Sequence, residues 1–166
     1  FFAVQDVNLS VPPGEILGIV GESGAGKSTI SAAIMQLIDY PGYIEKGSIK
    51  LSSVNLIGMS EDEICRLRGK KVGVIFQDPL TALNPVRTIG FQLMESIQLH
   101  RGRRGENLIG QAVDLLTQVG IPDAKQRLDQ YPHQFSGGMR QRVVIAIALA
   151  GDCLLYTSPS PRDNLR

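Results

Sequence analysis

The stretch GESGAGKST, Gly21 to Thr29, constrains this chain more than any other, because it lies between an apolar run and a run with helical spacing. EILGIV, Glu15 to Val20, has the length and character of a central strand covered on both faces. From Lys27 to Ile38 the residues Ile30, Ile34, Leu37 and Ile38 recur at helical spacing, and Pro41-Gly42 ends the run. Strand, glycine-rich loop and helix in that order converge backbone N–H groups on an anion. Glycines turn those donors inward where a Cβ would collide or the dihedrals would be forbidden.

The spacing Gly21, four residues, Gly26, Lys27, Ser28 completes the Walker A pattern. In that pattern Lys27 reaches the β and γ phosphates, Ser28 offers its hydroxyl to Mg²⁺, and Thr29 is a second hydroxyl beside the phosphates. Kinases, GTPases, motors and pumps all use such a loop, so the rest of the chain has to choose between them.

Val7, Leu9 and Val11 alternate with polar neighbours up to Pro12-Pro13-Gly14, a strand followed by a turn. Short strands are expected at 47–51 and 54–57, and Ser60 opens a helix with an acidic first turn, SEDEICRLR. KVGVIF, Lys71 to Phe76, is the next strand and leads to Gln77; DPLTALNP then reads as a loop. Ile89 to Gly120 keeps a helical period in two helices, broken at HRGRRGE, which reads as a solvated loop rather than a binding patch. A helical insert thus interrupts an α/β chain.

FSGGMRQR, Phe135 to Arg142, carries a second feature of the same kind. Ser136 is a good N-cap, while Gly137 and Gly138 leave the first backbone donors of the following helix uncovered. Taken alone this is an ordinary capped helix. Paired with the first loop, it suggests a nucleotide clamped between two copies.

Lys and Arg number 17 against 16 Asp and Glu, so no basic field marks the chain for nucleic acid. Cys65 and Cys153 lack CxxC spacing and read as free thiols of a reducing compartment. FFAVQDVNLS is not a secretory leader, and no apolar run has the length to cross a bilayer.

GESGAGKST, VIFQDPLTALNP and YPHQFSGGMRQRVVIAIALA, in this order, resemble the ATP-binding subunits of ABC transporters. FQDPLTALNP and YPHQFSGGMRQR narrow the likeness to the branch serving bacterial oligopeptide, dipeptide and nickel importers. The resemblance implies an α/β fold, a P-loop NTPase core with a helical subdomain insert, truncated before the Walker B strand. Residues 1–150 would form a partial ATP-binding domain, its helical subdomain at about 80–140. It further implies that Gly21, Ser23, Gly24, Gly26, Lys27, Ser28 and Thr29 hold ATP, and that Gln77 reaches Mg²⁺ and the attacking water. Ser136, Gly137 and Gly138, with Gln141 nearby, would close on ATP held by the opposite subunit; Met139 stands where many relatives carry Gln. Phe1 or Phe2 falls near the expected adenine-stacking aromatic, and His133 reads as a structural or signature-positioning residue rather than a catalytic base. The implied partners are transmembrane permease subunits, a second ATPase subunit, identical or different, and indirectly an extracytoplasmic solute-binding protein. The implied location is peripheral, on the cytoplasmic face of the bacterial inner membrane, and the expected activity is ATP hydrolysis that energises import of di- or oligopeptides.

GDCLLYTSPSPRDNLR departs from the family, which continues into an apolar strand ending in Asp-Glu. One register puts Ser158 and Pro159 at the acidic positions, another Pro159 and Ser160, and Asp163 has no glutamate beside it. The family's switch histidine is absent too. Two readings stand: a genuine end on a non-hydrolysing, regulatory nucleotide binder, or foreign sequence at 151–166 joined to a fragment, which the chain's start without Met also suits. A small-molecule kinase would leave SGGMRQR and the phrase around Gln77 unexplained.

Overall fold

The structure, a computed structural model, describes residues 2–75, 79–101, 107–151, 153 and 155–157. The chain divides into two compact units, Phe1–Cys65 and Arg66–Asn164.

In the first unit, helix α1 (Lys27–Ile34) follows the glycine loop, and strands β1 (Lys50–Leu51) and β2 (Val54–Asn55) form an antiparallel hairpin. The helix is shorter than its apolar spacing suggests. Leu37 N donates to Ala32 O (2.8 Å) and Gln36 N to Ala33 O (3.1 Å), while Gln36 adopts φ 53°. Those two bonds around a left-handed residue are a Schellman end, which turns the chain away before Leu37 and Ile38 can join the helix. Pro12 to Glu15 makes the expected turn, closed by Glu15 N to Pro12 O at 3.2 Å with Gly14 at φ 80°.

The two strands expected around that turn are absent. Val7, Leu9 and Val11 are exposed, and Ile16 and Val20 of EILGIV are 100% and 96% exposed. A strand exists only as a member of a ladder, and among the described residues no segment pairs with Glu15–Val20. Without a ladder its backbone groups must stay in water, and the side chains stay there with them. Helix α2 (Glu61–Leu67) begins as expected, with a capping box: Glu63 Oε2 accepts from Ser60 N and Ser60 Oγ, both at 2.8 Å.

The second unit is built on two parallel strands and the helices between them. Strand β3 (Val72–Val74) runs beside β4 (Leu155–Thr157), with Val72 opposite Leu155 and Val74 opposite Thr157. Between them come α3 (Pro79–Ala82), α4 (Ile89–Arg101), α5 (Leu108–Gln118), α6 (Ala124–Arg127) and α7 (Gly137–Leu149). Helix α3 lies where a loop was expected; proline is well tolerated at a first helical position, where its missing N–H costs nothing.

Helix α4 ends at Arg101 and α5 starts at Leu108; most of the expected break between them, 102–106, lies outside the described residues. Asn107 caps α5 by accepting from Gly110 N at 3.0 Å. Gly120, at φ 74°, ends α5 in a second Schellman turn, with Ile121 N on Leu116 O at 2.9 Å. Helix α4 turns Ile89, Leu93 and Ile97 inward, α5 turns Ala112, Leu115 and Leu116, and α7 turns Val143, Val144 and Ala146, with Ala150 buried at its C-cap. All are apolar, and α7 from Val143 onward is apolar on every side, the helix packing against α3, α4, α5 and β3 together. Of the tail, Leu155–Thr157 form β4, while Asp152, Leu154 and 158–166, including Ser158, Pro159, Ser160 and Asp163, lie outside the described residues.

Two predictions follow from this unit's interior. The hydroxyl of Thr157 is buried without a hydrogen-bond partner among the described residues. Such a group costs about 1–3 kcal/mol. Thr157→Val, which keeps the shape and removes the hydroxyl, is expected to raise the urea midpoint; an unchanged or lower midpoint would count against this assignment. The second concerns His100, whose ring lies where a side chain on Gly69 would stand. Burial pushes its imidazole below the ordinary histidine value of 6.5, and the Lys70 ammonium adds to the shift. Between that lowered value and 6.5 the unfolded chain binds the extra proton, so stability falls as pH drops through this window. Denaturation midpoints measured from pH 7.5 downward should show a decline below about 6.5 that is shallower in His100→Gln.

Candidate phosphate loop and capped helix end

The loop Gly21–Thr29 has the geometry its composition requires. Gly24 and Gly26 both adopt φ 84°, and Ala25 N closes a turn on Glu22 O at 3.2 Å. Gly26 has a second reason to be glycine: a Cβ there would stand 2.7 Å from Val4 Cγ2 and 2.8 Å from the Ala3 carbonyl oxygen. The chain's opening residues therefore form a floor under the loop. Gly26 is the N-cap of α1 and supplies no side-chain cap, so the first-turn N–H groups of the helix receive no capping side-chain acceptor.

Lys27, the first residue of α1, folds back across the loop. Its Nζ donates to Gly21 O at 2.7 Å and to Glu22 O at 2.9 Å. The ammonium thus joins the two ends of the loop beside the helix start. Ser23 and Ser28 are exposed and Thr29 is half-buried. Uncapped amides, the positive end of a helix dipole and an ammonium together fit a phosphate group, and the Ser28 hydroxyl fits Mg²⁺ as an oxygen ligand.

The second site belongs to the other unit. Ser136 caps α7, its Oγ accepting from Met139 N at 3.4 Å, and Gly137 and Gly138 are exposed with open space where a side chain would point. The preceding turn is a short 3₁₀ helix, Pro132–Gln134. Tyr131 N donates to Gln134 Oε1 at 2.8 Å, and the Tyr131 and His133 rings stack 5.7 Å apart. Phe135 is buried in the helical core, which anchors the turn. Gln141 is half-buried. Gln77 and Phe1 lie outside the described residues, and Phe2 is exposed.

Sequence reasoning missed Arg140. Its Nε donates to both Pro132 O and Phe135 O, each at 2.9 Å. The available signal was a cation in the first turn of a helix, where the dipole disfavours it unless acceptors are close.

A glycine-rich loop leading into a helix, a parallel strand pair and the helices between its strands are consistent with an α/β P-loop core. Residues 4–157 match the ABC transporter family, and the chain belongs to it. The dipeptide transport ATP-binding protein DppD of Escherichia coli strain K12 is 53% identical over 165 residues, covering 99% of this chain and 50% of that protein. The oligopeptide transport ATP-binding protein OppD of Bacillus subtilis strain 168 is 48% identical, covering 98% of this chain and 46% of that one. The chain therefore spans about half the length of the curated relatives it matches. Among solved structures, the dimeric ATP-binding cassette MJ0796 in a post-hydrolysis state with ADP and Pi is similar at a TM-score of 0.80 and 30% identity. That match covers 94% of this chain and 65% of the other. Among the described residues no helix is long and apolar enough to cross a membrane.

The two positive-φ glycines of the loop separate backbone strain from steric overlap. Gly24→Ala and Gly26→Ala both force a side chain into the left-handed region, at about 1–2 kcal/mol. Only Gly26→Ala also meets Val4 and Ala3, since nothing lies within 4 Å of a Cβ on Gly24. Chemical denaturation should therefore show a larger loss for Gly26→Ala, and equal losses would show that the residue 3–4 floor does not constrain the loop.

Proposed function

We propose that this chain is the nucleotide-binding part of a subunit that binds and hydrolyses ATP to energise a membrane importer, with dipeptides or oligopeptides as cargo. The observation that carries this reading is the loop itself, with Lys27 laid across Gly21 and Glu22 beside the uncapped start of α1. Its likeness to dipeptide and oligopeptide transport ATP-binding proteins supports the choice of cargo.

In this reading the amides of Gly21, Ser23, Gly24 and Gly26 and of the α1 start hold the triphosphate, and Lys27 places its charge on the β and γ phosphates. Thr29 supports them. Ser28 and Gln77 hold Mg²⁺, which when bound neutralises charge on the transferring phosphoryl group. Ser136, Gly137 and Gly138 present the donors of α7 to nucleotide on a second ATPase subunit, and the pairing transmits nucleotide state to transmembrane permease subunits. The subunit then works at the cytoplasmic face of the inner membrane, and a solute-binding protein delivers cargo on the far side. Residues 151–166 contain no glutamate, so this stretch supplies no Asp-Glu pair to act on water. By themselves the 166 residues are expected to bind ATP and turn it over slowly.

Two substitutions test the division of labour. Lys27→Ala should weaken ATP binding by about tenfold or more, the equivalent of one charged hydrogen bond. Ser136→Ala should leave that binding intact and reduce ATP-dependent pairing, followed by sedimentation. ATP binding that ignores Lys27, or a protein that stays monomeric at saturating ATP with its sequence unaltered, would overturn the reading.

A further inference from the structure

Ser136 is the residue on which the pairing rests, and its own capping bond is weak. At 3.4 Å, the contact from Met139 N to Ser136 Oγ lies beyond the ordinary range for an N–H donor on oxygen. Something else must set where this serine stands. Tyr131, His133 and Gln134 of the preceding turn are exposed, so packing holds the turn only through Pro132 and Phe135.

Arg140 acts at those same two residues. Its Nε–H is shared between the carbonyl oxygens of Pro132 and Phe135, both at 2.9 Å. Both are of good length, well inside the 3.4 Å of the cap. Pro132 O also accepts from Phe135 N at 3.1 Å, so the first and last residues of the turn meet at one point on α7. Arg140 N in turn donates to Ser136 O at 2.9 Å. The side chain and backbone of one residue thereby fix the chain on both sides of the serine.

Arg140 also stands at the positive end of α7, where a cation is disfavoured. Arg142, two residues on, makes its short bond elsewhere, Nη1 to Gly120 O at 2.8 Å, and its Nε reaches Gly138 O only at 3.4 Å. The electrostatic position of Arg140 is unfavourable, and the two carbonyls offset it.

We propose that Arg140 is a positioning residue that fixes Ser136 for contact with the nucleotide of a second subunit, acting through its Nε–H on the carbonyls of Pro132 and Phe135. The inference rests on the ATP-dependent pairing proposed above. It locates the determinant in a donor at the ε position rather than in the charge. Glutamine carries an amide nitrogen at the same distance along the side chain, with two N–H groups and no charge. Methionine fills similar space with no donor.

The test uses the full chain with Arg140→Met and Arg140→Gln, measuring binding of a fluorescent ATP analogue, ATP-dependent association by sedimentation, and the thermal midpoint. Arg140→Met is expected to keep nucleotide binding within about twofold while association weakens by about tenfold or more, the scale of the two hydrogen bonds lost. Arg140→Gln is expected to associate like the unaltered protein. A methionine variant that pairs normally overturns the proposal. So does a glutamine variant as defective as methionine, because charge would then be the determinant. Should the methionine variant fail to fold, glutamine decides: normal association supports the bridge and a tenfold loss removes it. Absence of ATP-dependent association in the unaltered protein is a different result, which removes the proposed function and this inference with it.

Discussion

The burial of α7 is the constraint on which the second unit depends. Its residues face α3, α4, α5 and β3 at once, so one helix joins the helical group to the strand pair. This explains why Val143 to Ala150 contains no charged residue, and why Ile145, Ile147, Ala148 and Leu149 pack around the buried set. A helix held on all sides has little freedom to slide, since interiors are packed at near-crystalline density. Its exposed N-terminal turn is therefore carried on a rigid support, which suits donors that must meet a ligand in a fixed geometry.

The glycine loop obtains its shape differently. No hydrophobic core surrounds it, and α1 itself has no fully buried residue. Local backbone rules do the organising: left-handed glycines, a short turn, and a lysine that folds back on the loop's own carbonyls. Only at Gly26 does a neighbouring segment intrude, with Val4 and Ala3 closing the space beneath it.

That contrast explains what could be read in advance. Helices α4, α5 and α7 were legible because an apolar stripe and a cap such as Ser136 are properties of consecutive residues. Gly21–Thr29 was legible for the same reason, as was membership of the ABC transporter family. The strand at Glu15–Val20 was misread because an apolar run states only that a ladder would suit it; pairing depends on segments elsewhere. The early end of α1 escaped notice because glutamine seldom takes the left-handed conformation that closes a helix. The bridge from Arg140 to Pro132 and Phe135 depends on side-chain direction across a turn, which spacing does not encode.

The parallel pairing of β3 with β4 has a kinetic side. These strands are neighbours in space, yet every helix from α3 to α7 lies between them in the chain. Bringing such ends together from an open coil carries the entropy of closing a long loop, whereas contacts among successive helices close short ones. Once the helices are packed, the span left to search is no longer a flexible chain but the distance across a compact body. The topology therefore favours early packing of the helical group on local contacts, with the strand pair closing on the surface it provides.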